Sequence, residues 1–268
     1  MATLILKLLL TPTLIGAASL AGRRWGPALS GWFVGLPFTS GPLTFFLALS
    51  QGASFAQAAA MGTLAGGISQ AAFCLTYAWL ARRSGWALTL LASTLAFLVA
   101  TAALQRVSLP LAALVAFVVI VLAVTLQLMP RAWKAAAPPA QPPWWDVPAR
   151  MAIATTFVLI LTALAPLLGP QLTGLLAPFP LYATILAAFA HQQQGSPAAA
   201  SVLRGLLMGL FAFTGFFAVL AALLDQVSIP LAFAAAIIVA LIIQGATLWV
   251  LQRGRRQTES AARRGASG

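Results

Sequence analysis

Polar side chains that could handle a solute are few in this chain, and the best placed stand beside helix breakers. In "GWFVGLPFTSGPLTFFLALSQG" (Gly31 to Gly52), Thr39, Ser40 and Gly41 lie between Pro37 and Pro42, in the middle of an apolar run. Proline lacks an amide hydrogen and clashes with the preceding helical turn, and Gly41 relaxes the backbone further. "LLAPFPLYAT" repeats the arrangement, with Phe179 and Pro180 followed by Tyr182. A helix restarting after such a break presents unpaired amides and the positive end of its dipole. Two such starts facing each other near the bilayer midplane would suit a carboxylate, a phosphate-like group or a halide. Thr39, Ser40, Gly41, Phe179, Pro180 and Tyr182 are therefore the candidate solute-binding residues. Two alternatives need no solute. One is a pair of proline kinks that adapt helix packing, since proline and glycine are ordinary in membrane helices; the other is a groove for a protein partner.

His191 and Arg204 are candidates for a gate or a mouth. His191, the lone histidine, ends "AFAHQQQG" and could pass protons or simply cap an interfacial helix end. Arg204 opens the next apolar run, where it could draw anions inward or snorkel to headgroups. Gln57, Gln70, Gln127 and Gln244 also lie in apolar runs, and could line a path or hydrogen-bond between helices. The three acidic residues, Asp146, Asp225 and Glu259, fall in a linker, at a helix end and in the tail. Proton and sodium coupling usually relies on intramembrane carboxylates. A facilitator, a channel-like path or coupling through backbone carbonyls fits better. No paired carboxylates and no nucleophile beside a base are legible, so an enzyme is not expected. A lone His and a lone Cys74 cannot make a metal cluster, and no metal or cofactor is expected.

The elements that must position these residues are membrane helices. With 61% hydrophobic and 7% charged residues, the chain lacks the polar surface a water-soluble domain needs. Runs such as "LAALVAFVVIVLAVTLQL" (Leu111 to Leu128) do not alternate in polarity, which argues for helices over a barrel. Nine spans are expected, near 3–22, 27–50, 54–81, 86–105, 108–130, 148–168, 170–191, 199–224 and 228–252. The first is read as retained rather than cleaved, because Arg23 and Arg24 follow the apolar stretch. The net charge of +12 then reflects cytoplasmic loops and not a nucleic-acid partner. An N-terminus outside and a C-terminus inside leaves only Lys7 and Arg106 on the outer face.

Internal similarity is the strongest signal. "GPALSGWFVGLPF" (Gly26 to Phe38) aligns without gaps on "GPQLTGLLAPFPL" (Gly169 to Leu181). In the same register Gly52 meets Gly195, Gly62 and Gly66 meet Gly205 and Gly209, and Phe73 meets Phe216. "VSLPLA" (Val107 to Ala112) returns as "VSIPLA" (Val227 to Ala232) after a different spacing. The expected organisation is a first repeat of five spans (1–131), a Pro/Trp-rich linker (132–147), a second repeat of four spans (148–252) and a basic disordered tail (253–268). Nine spans make the repeat an inverted one, although both VS[LI]PLA spans then run the same way. The arrangement resembles inverted-repeat transporters with crossed, interrupted helices.

The expected fold is thus an all-α membrane protein with about nine transmembrane helices and a broken helix in each half. The expected function is an inner-membrane permease for a small anionic solute. Its alternative is a non-transporting integral subunit that scaffolds or regulates a larger membrane complex. Lipid, the solute, and a homodimer mate or membrane-protein partner are the expected contacts; the "GTLAG" and "GLLMG" segments could pack within the fold or at a dimer seam.

Overall fold

The computed structural model describes residues 36–130 and 146–265, together with Leu9, Pro12 and Thr13; for Asp146, Arg150, Tyr182 and residues 248–265 it describes the backbone alone. Eight helices and no strand occur among the described residues. They are α1 (Ser40–Gln51), α2 (Ala53–Leu80), α3 (Trp86–Leu104), α4 (Leu111–Leu128), α5 (Asp146–Leu176), α6 (Leu181–Gln194), α7 (Ser196–Leu223) and α8 (Ile229–Gly265). Six are long and apolar enough to cross a membrane: α2, α3, α4, α5 from Val147, α7, and α8 as far as Thr247.

These helices expose large apolar side chains as well as burying them. Along α3, Leu88, Leu91 and Leu95 are exposed at helical spacing, as are Ile237, Ile238, Leu241 and Ile242 of α8. Such stripes would be untenable in water and suit hydrocarbon chains. The interior belongs to α2 and α7, whose buried faces carry Phe73, Tyr77, Leu203 and Phe217. These two central helices pack on each other; α1, α3, α4 and α5 cover α2, while α4, α6 and α8 cover α7.

Small residues permit the closest approach. A Cβ at Gly62 would stand 2.5 Å from the Gln171 carbonyl oxygen, and one at Gly174 would collide with the Ala59 carbonyl. At this crossing α2 and the end of α5 touch backbone to backbone, as the small-xxx-small segment "GTLAG" suggests. Hydroxyls buried in the helices mostly turn back on their own chain. Thr44 donates to the Ser40 carbonyl, Thr63 to Ala59, Ser93 to Thr89 and Thr214 to Leu210. One pair joins two helices, Thr101 Oγ1 donating to Ser69 Oγ at 2.9 Å.

Two helices share a length and an offset. Helices α2 and α7 each contain 28 residues, and both ends of the pair are displaced by 143 positions (53 to 196, 80 to 223). Each follows a short helix through one glycine in a left-handed conformation that L side chains rarely adopt, Gly52 (φ 92°, ψ 167°) and Gly195 (φ 85°, ψ 178°). The C-terminal end of α2 lies beside the start of α7, since Tyr77 and Ala81 meet His191, just ahead of Gly195.

Three expectations need restating against this fold. The boundary expected between 148–168 and 170–191 is displaced: α5 runs through a left-handed kink at Gly169 (φ 74°) as far as Leu176, and α6 begins only after Ala177–Pro180. The tail expected to be disordered is helical in backbone to Gly265. It has no proline, and it extends a helix already nucleated, so its Arg, Gln, Glu and Ala residues propagate cheaply. Apart from Leu9, Pro12 and Thr13, the first expected span lies outside the described residues, as do residues 27–35 of the second and nearly all of the linker.

Candidate functional site

The two proline-centred turns that precede α1 and α6 are built alike. Before α1, the Phe38 amide donates to the Leu36 carbonyl at 2.8 Å; before α6, the Leu181 amide donates to the Phe179 carbonyl at 2.8 Å. Each is a three-residue turn centred on proline, Pro37 in one and Pro180 in the other. Pro180 sits at φ −80° and ψ 57°, close to an inverse γ-turn. The first helical bond follows at the same remove: Gly41 to the Pro37 carbonyl and Thr184 to the Pro180 carbonyl, both 2.8 Å. Neither helix start has a side-chain cap, at Thr39 or at Pro180. Backbone carbonyls take the Gly41 and Leu43 amides at the first start and the Leu181 and Thr184 amides at the second, and no side-chain oxygen caps either one.

These two turns line one cavity. Leu36, Thr39 and Ser40 border it from the first, and Ala177, Pro178, Phe179, Pro180 and Leu181 from the second. Gln70 of α2 and Leu210 and Phe213 of α7 complete the wall. Two pairs of lining residues are repeat-mates, Leu36 with Phe179 and Gln70 with Phe213, so the cavity lies between the halves. Its volume is about 30 Å³, room for about two water molecules. No lining residue is charged. The local field is set by the two helix starts, each acting as roughly half a positive charge, and by the Gln70 amide.

Gln70 is 6% exposed, and its Oε1 is buried without a hydrogen-bond partner. An unpaired amide oxygen is costly anywhere and more so in a membrane interior. The sequence singled out Gln70 only as one glutamine among four. Its mate Phe213 gave no symmetric hint, and only the placement of α2 against both turns reveals it.

The other candidates separate. Thr39, Ser40, Phe179 and Pro180 line the cavity, with the Phe179 ring set edge-on against Phe97 at 5.2 Å. Gly41 is in the first turn of α1, where a Cβ would meet the Phe216 ring at an ordinary 3.6 Å; it packs and does not line. Tyr182 is in the first turn of α6, and its side chain lies outside the described residues. His191 is 11 residues beyond Pro180, about 16 Å along the α6 axis. Its ring sits edge-on to Tyr77 and hydrogen-bonds the Ala81 backbone, remote from the cavity lining. Arg204 is exposed on α7 and lines nothing here.

A larger space of about 310 Å³ borders the Gly62 crossing. Gln57 and Met61 of α2, Ser108 and Leu109 of the α3–α4 connection, Phe117 of α4, and Gln171 and Leu175 of α5 contribute to its wall. Gln171 Nε2 donates to the Gln105 carbonyl at 3.1 Å, holding the α5 end to that connection. Among the described residues no group of three His, Cys, Asp or Glu side chains could hold a metal ion. No protein-family model, no curated protein and no solved structure matches this chain.

Proposed function

We propose that this chain is an integral-membrane permease, and that it moves a small anionic solute past two facing helix interruptions. One observation carries the reading: Thr39 and Ser40 from one interruption and Phe179 and Pro180 from the other border the same cavity, each beside an uncapped helix start. Partial positive charge is thereby concentrated where lipid would otherwise demand a sealed apolar interior. We read α1–α2 and α6–α7 as arms of an inverted repeat. The matched lengths of α2 and α7, and the meeting of the α2 end with the α7 start, support this. In the bacterial-type inner membrane we assign, with nine crossings, the N-terminus is outside and the tail arginines are cytoplasmic, following the distribution of basic residues.

The narrowness of the cavity favours a second reading, a non-transporting subunit whose paired interruptions only shape helix packing. Purified protein in liposomes separates the two. The permease reading expects efflux of small labelled anions above protein-free vesicles, reduced by Thr39→Val combined with Ser40→Ala. No flux of any anion, together with repeated recovery of one membrane partner in pull-downs, establishes the subunit reading instead.

A further inference from the structure

We propose that Gln70 is the specificity-determining residue of this cavity, and that the anion it selects is of halide size. The inference rests on the permease reading and adds the identity of the occupant and the group that recognises it. The two helix starts supply similar backbone geometry from both halves, so they attract anions without distinguishing one from another. Side chains make the difference, and here the halves diverge: α2 brings the Gln70 amide and α7 brings the Phe213 ring at the matching position. Gln70 is the one amide side chain in the wall. It is more than nine-tenths buried, and its oxygen lacks a partner. The nitrogen and oxygen of an amide exchange places by a simple flip. Rotated one way, the group offers two N–H donors to an anion held between the helix starts. Rotated the other way, it accepts from the water that replaces the anion.

Size sets the rest of the selectivity. About 30 Å³ has room for one halide or about two waters, so the smallest anions are the ones expected to fit it. A bare halide needs only donors around it, which amides and helix starts provide without a charged side chain.

The test uses full-length protein in two formats. In liposomes, chloride, bromide and gluconate efflux are compared for wild type, Gln70→Met, which keeps the shape, and Gln70→Glu, which keeps the shape and adds a like charge. In detergent, thermal midpoints are compared in sodium chloride and in sodium gluconate at equal ionic strength. Wild type is expected to pass chloride and bromide but not gluconate, and to be stabilised by chloride. Gln70→Met is expected to lose chloride flux at least tenfold and to lose the chloride-dependent shift, while its midpoint in gluconate equals or exceeds that of wild type. Gln70→Glu is expected to abolish halide flux, and it decides the matter if Gln70→Met does not fold. Unchanged halide flux in both variants overturns the role of Gln70 and leaves the permease reading standing. Comparable gluconate flux overturns halide size. A wild type that moves no anion overturns the permease reading; a chloride-dependent shift that survives in wild type and vanishes in the variants then still supports the binding site.

Discussion

Gly62→Ala should destabilise the protein although alanine is the better helix former, and the size of the effect follows from one crossing. The added Cβ would lie 2.5 Å from the Gln171 carbonyl oxygen and 3.2 Å from Gly174 Cα, both backbone atoms that no rotamer change can move aside. Ordinary contact begins near 3.4 Å, so α2 and the end of α5 must part by about 0.9 Å (3.4 less 2.5). Such a gap forfeits about a quarter to a half of each well of ~0.1–0.2 kcal/mol, and with about 40 atom pairs across the contact the loss is about 1–4 kcal/mol, about 2 kcal/mol at the middle of the inputs. Alanine returns up to about 1 kcal/mol through helix propensity. The net expectation from the middle value is a loss of about 1–2 kcal/mol. Gly67→Ala is the control on the same helix: its Cβ would meet Val118 Cγ1 at 3.6 Å, and nothing need move. There only the propensity gain remains, up to about 1 kcal/mol of stabilisation. Unfolding in mixed micelles titrated with denaturing detergent, followed by tryptophan fluorescence, reads both. Equal shifts in the same direction for the two variants would refute the backbone-contact reasoning and leave propensity in charge.

Further outcomes test other parts of the fold. Gly52→Ala and Gly195→Ala force an L side chain into a strained conformation with φ near +90°, and each should cost about 1–3 kcal/mol in the same unfolding assay. Similar losses would support the equivalence of the two turns, and a loss at one alone would undercut it. Thr101→Val leaves the Ser69 hydroxyl buried without its partner and should cost about 0.6–1.7 kcal/mol, the range for hydrogen bonds between membrane helices; an unchanged midpoint would remove that link between α2 and α3. Cys74 is fully buried in α2, so a maleimide should label it only as fast as the protein unfolds, and rapid labelling of the folded protein would mean that α2 is not central.

Backbone constraints were the legible part of this sequence, because glycine and proline do jobs other residues cannot. The register that aligned Gly52 with Gly195 and Pro37 with Pro180 reappears as matched left-handed turns and matched proline-centred turns. Helix length was less legible. Gly169 and Pro170 read as the boundary between two spans, yet α5 continues past them to Leu176, because a proline in the first turn after a kink gives up only an amide that has no helical partner there. Facing was not legible at all for single polar residues. Arg204 and Gln70 both sit within apolar runs, yet one ends exposed and the other buried against the cavity. Their helical phase relative to neighbours that do not yet exist in the sequence decides the matter.

Under the permease reading the cavity must widen for passage, and the packing around the two turns limits where it can do so. The second turn is held hard against α2: a Cβ at Gly66 would stand 2.8 Å from the Leu175 carbonyl and would collide with the Pro178 ring. Close packing of that kind responds to displacement by losing contacts at once. At the start of α1 a Cβ at Gly41 would meet Phe216 and Pro37 at ordinary distances of 3.6–3.7 Å. The two turns share a backbone geometry, and the close approach to α2 is made by the second.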